Sequence, residues 1–276
     1  MPLYILSNIP SMRAQRHLGV QQRGLNTTLE RLASGKRINT AKDDPAGLLL
    51  STRLGKSVTA WTSGSNSLNM GLDLIATADS FLTILVEDLE RLYQLASDAM
   101  NGLLSNGERS LLNEEYSRIL PEMQRLALNT KFLDQTLLAG GMTVSIRVGE
   151  GAGNNVTIMI GALTYGGGAL AISNTSITSQ GAASAALQAL SNAFSSIGQV
   201  IAEIGAQGNA FTKSVDAQNA LVENLSAAKG RIMNADLAVE TTNLTNQQIV
   251  VQSGISALVQ ANSAQTLALA LLGGGF

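Results

Sequence analysis

Apolar residues recur along this chain at alternating steps of four and three, the spacing of a helix face that meets a partner helix. From Leu68 the row runs through Leu72, Ile75, Asp79, Leu82, Val86, Leu89, Tyr93, Ala96, Met100 and Leu103. It is apolar at ten of eleven positions and predicts one long helix. A second row follows Asn106-Gly107 through Leu112, Tyr116, Ile119, Met123, Leu126, Thr130, Leu133 and Leu137. Pro121 lies inside it and must remove one helical hydrogen bond. The third row is the longest. It runs Ala183, Leu187, Leu190, Phe194, Ile197, Ile201, Ile204, Gly208, Phe211, Val215, Gln218, Val222, Leu225, Lys229, Ile232, and is apolar at twelve of fifteen. A helix of roughly 50 residues at ~1.5 Å rise is a rod ~75 Å long.

Between the second and third rows the period changes to two. Val144, Ile146 and Val148 alternate with polar residues, as do Val156, Ile158 and Ile160, apart from Met159, after a Gly/Asn-rich stretch. This predicts a β-hairpin. Thr164 to Gln180 reads as loop with room for one short strand. The chain ends carry matching stripes. Leu18, Leu25, Leu29 and Leu32 are spaced seven, four and three, and Leu244, Val251, Ile255 and Leu258 repeat that spacing. Two such segments can pair as a helical hairpin, and each stripe is too narrow to stand alone. The predicted fold class is mainly α, a long coiled-coil-like bundle with a small hairpin.

Composition narrows the chemistry. Aromatic residues make up 4% of the 276, few for a sheet-built core. There is no Cys, which excludes a disulfide framework, a zinc-thiolate site and a Cys nucleophile. One His, His17, cannot supply an HExxH site. The N-terminus lacks the basic-then-apolar order of a Sec signal, and no run approaches the ~20 apolar residues of a membrane span. The net charge of −2 hides a split. Residues 1–56 carry nine Lys/Arg against three Asp/Glu, and residues 57–276 carry nine against seventeen. The last 36 residues, from Thr241, carry no charged side chain.

The motifs that hint at catalysis have simpler readings. Gly55-Lys56-Ser57 resembles the end of a P-loop, but the required earlier glycine is Leu50. Gly149, Gly151 and Gly153 have the wrong spacing for a dinucleotide site and read as a turn. Asp43-Asp44 could be an acid/base or metal pair. Asp44 reads better as a helix cap ahead of Pro45 at the first helical position. His17 and Trp61 are lone packing or surface groups. The basic first 56 residues lack interleaved aromatics, so they suit an acidic protein surface better than nucleic acid. Asn-x-Ser/Thr triplets such as Asn26-Thr27-Thr28 mean little without a secretory signal. No catalytic constellation remains, and no cofactor is expected. A nucleotide- or metal-dependent enzyme stands as the rival from another class.

Glu30 to Leu54 reads ERLASGKRINTAKDDPAGLLLSTRL. This resembles the N-terminal signature of bacterial flagellins, an E-R-L-S-S-G-type segment, R-I-N, then K-D-D-x-A-G. Asn224 to Asp236, NLSAAKGRIMNAD, is similar to the family's N-L-x-x-A-x-S-R-I-x-D-x-D, and Ile255 to Asn262, ISALVQAN, resembles its Q-A-N segment. The resemblance covers roughly residues 1–140 and 182–272. It implies a structural subunit, not an enzyme, that polymerises into an extracellular flagellar filament for motility. The alternative within the same system is a hook–filament junction protein.

The resemblance also implies an architecture. Residues 1–40 with 236–276 would form an inner terminal pair, with Leu3–Leu32 and Leu237–Leu271 as its helices. Its assembly residues would be Leu18, Leu25, Leu29, Leu32, Leu244, Val251, Ile255 and Leu258. Residues 41–140 with 181–235 would form an outer rod of helices near Pro45–Leu104, Glu108–Thr130 and Ala182–Asn234, with 141–180 as its hairpin insert. The rod core would be Leu72, Ile75, Leu82, Val86, Leu89, Ile119, Met123, Leu190, Phe194, Ile197, Ile201 and Phe211. Export would run through the flagellum's own channel. Partners would be the secretion apparatus, a secretion chaperone, and filament-cap and hook-junction proteins. Many flagellins meet an innate immune receptor through L-Q-R-x-R-x-L-A and a nearby Glu. The matching positions are Leu89, Glu90, Arg91, Leu95 and Glu115, with Glu90 and Tyr93 departing from the pattern, and this surface reads first as a subunit contact. The chain also departs from the family in its Gly-Gly-Gly-Phe end, in Pro121, in lacking a Pro after Asn262, and in lacking a large central insert.

Overall fold

The structure is a computed structural model that describes residues 7–151, 153–163 and 170–273, with 268, 269 and 271–273 described by backbone alone. Leu3, the 164–169 stretch and the last three residues of the Gly-Gly-Gly-Phe end lie outside the described residues. In chain order come α1 (Ile9–Ser34), α2 (Pro45–Ala99), α3 (Asn106–Asn129), β1 (Lys131–Phe132), β2 (Gln135–Thr136), β3 (Met142–Arg147), β4 (Asn155–Ile160), α4 (Gln180–Met233) and α5 (Leu237–Gly273). The chain divides into two units. One comprises residues 1–56 with 225–276, the other residues 57–224. The division cuts through α2 and α4.

In the second unit one core cluster joins residues of α2, α3, β3, β4 and α4. The buried row of α2 is Leu68, Gly71, Ile75, Ala78, Leu82, Leu85, Leu89, Leu92, Ala96 and Ala99. This steps three then four. The sequence row stepped four then three, so the two share Leu68, Ile75, Leu82, Leu89 and Ala96 and part at every alternate position. Leu72 and Val86 flank the core half-buried, and Tyr93 is exposed. The same shift recurs in α4, where Ala186, Ala193 and Val200 are buried and Leu187, Phe194 and Ile201 flank them. In α3 Leu120 and Ala127 are among the buried positions, with Ile119 and Leu126 beside them. Small residues at the innermost positions let helix axes approach, and the larger neighbours cover the sides. Of the expected core residues, Ile75, Leu82, Leu89, Met123, Leu190, Ile197 and Phe211 are buried. One 18-residue window of α2 is long and apolar enough to cross a membrane, with mean hydropathy 1.3. The same helix supplies the apolar row of this core.

One expected helix end moves. α2 stops at Ala99 rather than near Leu104, and Ser105 with Glu108 forms a capping box that starts α3. The second row does not run on to Leu137 as helix. α3 continues past Pro121 but ends at Asn129. β1 and β2 then form a tight antiparallel hairpin whose turn residues, Leu133 and Asp134, have φ of 47° and 64°. Left-handed backbone cannot continue a helix.

The larger hairpin forms where the period-two pattern lies, with Val144 opposite Ile158 and Ile146 opposite Val156. Two glutamines of α4 fix it to that helix. Gln207 accepts the Met159 N–H at 2.8 Å and donates to its carbonyl at 2.7 Å, satisfying an edge-strand residue. Gln218 donates to the Val148 carbonyl at 2.8 Å. A Cβ on Gly64 would lie 2.3 Å from that same carbonyl oxygen, so only glycine fits there.

Candidate functional site

The first unit is built on α1 and α5, which run antiparallel. Asn8 donates to the Ala261 carbonyl at one end of the pair, and Arg31 pairs with Glu240 at the other. The seam is a strict heptad on α5: Glu240, Leu244, Gln247, Val251, Gly254, Leu258, Ala261 and Gln265 are its buried or half-buried positions. On α1 the facing row is Leu18, Gln21, Leu25, Thr28 and Leu32. Apolar layers therefore alternate with polar or small ones. Leu18 meets Gly254, and Gly24 meets Gln247.

The expected stripe needs one correction on each helix. Leu29 and Ile255 do not face this seam and are 46% and 49% exposed. The seam positions are Thr28 and Gly254, one residue earlier. Leu18, Leu25, Leu32, Leu244, Val251 and Leu258 do lie in it, each half-buried.

The seam is only partly satisfied. Arg31 Nη1 donates to Glu240 Oε1 at 3.2 Å, and Glu240 is almost fully buried. Arg31 Nε, Glu240 Oε2 and Gln247 Oε1 are buried with no hydrogen-bond partner. Each such group costs ~1–3 kcal/mol. Outside the seam the pair exposes Met12, Val20 and Leu29 of α1, and Leu237, Val239, Ile249, Val250, Ile255, Val259 and Leu267 of α5. Apolar side chains thus lie around most of α5, although the seam covers one stripe.

The K-D-D-P-A-G segment forms the start of α2. Asp43 Oδ2 accepts the N–H groups of Asn39 and Thr40 at 3.1 and 2.9 Å and the Thr40 hydroxyl at 3.1 Å. Asp44 Oδ1 accepts the Gly47 N–H at 2.8 Å, capping the helix that begins at Pro45. Ile38 is buried, and a Cβ on Gly47 would lie 2.7 Å from its Cδ1. Gly35, at φ 67°, ends α1, and its carbonyl accepts the Ala235 N–H at 3.0 Å. Arg37 donates through Nη2 to the Ile232 carbonyl at 2.9 Å. Both carboxylates are engaged by backbone N–H groups. Among the described residues no cluster of three or more His, Asp or Glu could hold a metal.

The expected receptor surface is not one surface. Leu89 and Leu95 are core residues, because they lie on the buried row and flank of α2. Glu90, Arg91 and Glu115 face solvent, and Arg91 donates to Glu115 from Nε at 2.8 Å. Tyr93 stacks edge-on against Phe194 at 6.2 Å between ring centroids.

Residues 5–143 match the bacterial flagellin N-terminal helical region, and residues 187–272 match the C-terminal helical region. The chain is 32% identical over 271 residues to a flagellin of Listeria monocytogenes, covering 93% of this chain and 94% of that one. It is 30% identical to flagellin FlaB2 of Treponema pallidum, covering 98% and 100%. A flagellar filament 30.7 kDa core protein of Treponema maltophilum is 28% identical, with the same coverage. A structure assigned to a flagellar hook-associated protein of Vibrio parahaemolyticus shares the fold at TM-score 0.58, with 14% identity over 70% of this chain and 100% of that one. Near-full-length likeness to filament proteins favours the filament role over the junction role. With both terminal helical regions matched, the chain belongs to the bacterial flagellin family, the structural subunits of the extracellular flagellar filament.

Proposed function

We propose that this chain polymerises through the outer faces of its α1–α5 pair, which neighbouring copies cover in a tubular bundle. The carrying observation is the ring of exposed apolar residues on that pair, among them Leu29, Ile255 and Val259. A patch of that extent on a single chain marks an interaction surface. Residues 1–40 with 236–276 act as the inner domain, residues 41–140 with 181–235 as the outer rod, and 141–180 as its hairpin insert. The assembly residues are those of the seam together with Leu29 and Ile255, which bury between subunits rather than within one.

The unsatisfied polar groups of the seam support assembly-coupled folding. A pair this weak alone gains its stability when the outer faces are covered as well. Repetition of one non-closing contact then generates a helical filament. The subunit performs no catalytic step. It leaves the cell through the flagellar export channel, and its other partners are the secretion apparatus, a secretion chaperone, and cap and hook-junction proteins. An innate receptor would meet only Glu90, Arg91 and Glu115 of the matched positions. These readings rest on family likeness.

Deleting residues from Asn262 onward is expected to leave the rod helical by circular dichroism and to abolish filaments in electron micrographs. Normal filaments from the truncated chain would remove the tail from the assembly surface.

A further inference from the structure

Asn101 and Gly102 lie exposed in the turn between α2 and α3. A second Asn-Gly pair follows closely, Asn106-Gly107, and begins α3. The two pairs share their chemistry and differ in their surroundings. Arg109 is buried and donates to the Ala99 carbonyl at 2.8 Å and to the Asn101 carbonyl at 2.9 Å. It also donates to Asn106 Oδ1 at 3.1 Å, so all three of its acceptors are neutral oxygens. The Asn101 carbonyl accepts the Leu104 N–H as well, at 3.2 Å, and Asn101 Oδ1 accepts the Leu103 N–H at 3.1 Å. Among the described residues the Gly102 N–H donates to nothing.

An asparagine side chain is open to attack at Cγ by the backbone nitrogen of the next residue. Glycine presents that nitrogen with no Cβ beside it. The nitrogen attacks as the anion left when its N–H gives a proton to solvent base. The charge of that anion spreads onto the carbonyl oxygen of the preceding residue. Here that oxygen belongs to Asn101 and is held by the Arg109 guanidinium, a charge-assisted donor. As the new bond forms, negative charge moves to Asn101 Oδ1, to which the Leu103 N–H already donates. The same contact closes a ring that contains both Cγ and the Gly102 nitrogen, which keeps the reacting atoms together. Both anions on the path therefore have a donor in place.

We propose that Asn101 is a self-modifying site that deamidates in the folded chain, while Asn106 is spared. The bond from Gly102 N to Asn101 Cγ forms and the Cγ–Nδ2 bond breaks. Nδ2 takes a proton from water and leaves as ammonia, and a cyclic imide remains. Water then opens the ring at either carbonyl to give aspartate or isoaspartate, with no oxidation or reduction. Opening toward isoaspartate turns the former main-chain carbonyl into a free carboxylate beside Arg109, whose buried charge then faces an anion. Asn106 is differently placed. Ring closure needs a backbone outside the helical region, and the Ser105–Glu108 capping box holds that turn helical. Each converted chain carries one more negative charge at this turn, so an extracellular filament grows more negative there with age.

The reaction needs only the folded full-length chain, which is incubated at neutral pH in heavy-oxygen water and then digested in ordinary water. Trypsin releases Leu92 to Arg109 as one peptide that carries both pairs. Heavy oxygen marks conversion during incubation, and fragmentation in the mass spectrometer places it at Asn101 or Asn106. In the folded chain Asn101 is expected to convert about tenfold faster than Asn106, which reacts only after local unwinding. In guanidinium chloride the two are expected to convert at comparable rates. Gly102→Ala adds a Cβ that meets nothing within 4 Å, so this variant is expected to keep full helicity. Its Asn101 is expected to convert about tenfold more slowly, because the attacking nitrogen is hindered. Equal rates at the two asparagines in the folded chain, or faster conversion at Asn106, overturn the proposal. Filament formation is read separately in electron micrographs, and its failure leaves the deamidation result standing.

Discussion

Asp88 and Asp43 are carboxylates whose surroundings push them in opposite directions. Asp88 is half-buried on α2 with Oδ2 shielded and unpartnered. Burial first, then the charges of Glu122 and Glu87, hold its carboxyl above the usual range. A raised value in the folded state means that protonation favours the fold. That contribution is present below the unfolded value of ~3.9 and is lost as pH rises through the raised one. At pH 7 the ionised group therefore works against the fold. Asp43 is held below the usual range by the N–H groups of Thr40 and Asn39 and the Thr40 hydroxyl. Its contribution is present above ~3.9 and is lost as pH falls through its depressed value. Thermal melts at pH 7 are expected to move up for Asp88→Asn and down for Asp43→Asn, with both differences shrinking by pH 3. Midpoints moving the same way at pH 7 would contradict this assignment. At this scale the sequence was informative where a residue acts on its own neighbours. Asp44 and Pro45 read as a cap because capping is a three-residue matter, whereas the raised value of Asp88 comes first from burial and then from Glu122 on another helix.

For the helices, the pattern located each element but misjudged which alternate row lies innermost. Counting apolar side chains favours Leu72, Phe194 and Ile201 over Gly71, Ala193 and Val200, since bulk scores and smallness does not. Packing reverses that preference, because the closest approach of two helices admits small residues. The same reasoning places Thr28 and Gly254 in the α1–α5 seam instead of Leu29 and Ile255. The observed row makes a paired test. Leu85 is fully buried, and Leu85→Ala is expected to lower the stability of the rod by ~3–5 kcal/mol. Val86 flanks the core, and Val86→Ala is expected to lower it by less than ~1.5 kcal/mol. Urea titration of the two variants settles the phase, and equal losses would restore the row that steps four then three. The short β1–β2 hairpin was not legible at all. Leu133 and Leu137 continue the heptad, yet the backbone turns extended at Thr130, and the left-handed turn at Leu133 and Asp134 then closes the hairpin.

Across the whole molecule charge is segregated between the units. Residues 1–56 with 225–276 hold eleven Lys/Arg against five Asp/Glu, a net of +6, and residues 57–224 hold seven against fifteen, a net of −8. The basic excess noted for the first 56 residues thus belongs to a unit, and its counterpart is the acidic unit of the same chain type. Two charge effects then compete when a monomer adds to a filament end. Net repulsion between copies is weak at −2 per chain, and salt would relieve it and speed growth. Attraction between the basic unit of one copy and the acidic unit of another involves larger charges, and salt would weaken it and slow growth. The product of +6 and −8 far exceeds that of −2 and −2, so attraction is expected to govern encounter. Elongation of seeds, followed by light scattering, should slow several-fold between about 10 and 300 mM sodium chloride, as the screening length falls from ~30 Å to below ~8 Å. Burial of the uncharged α5 faces responds the other way to sodium sulfate, which strengthens apolar association. Growth that slows in chloride and recovers in sulfate at equal ionic strength would separate steering by the charged units from locking by the terminal pair. Growth that accelerates in chloride would mean that the charge split has no part in assembly.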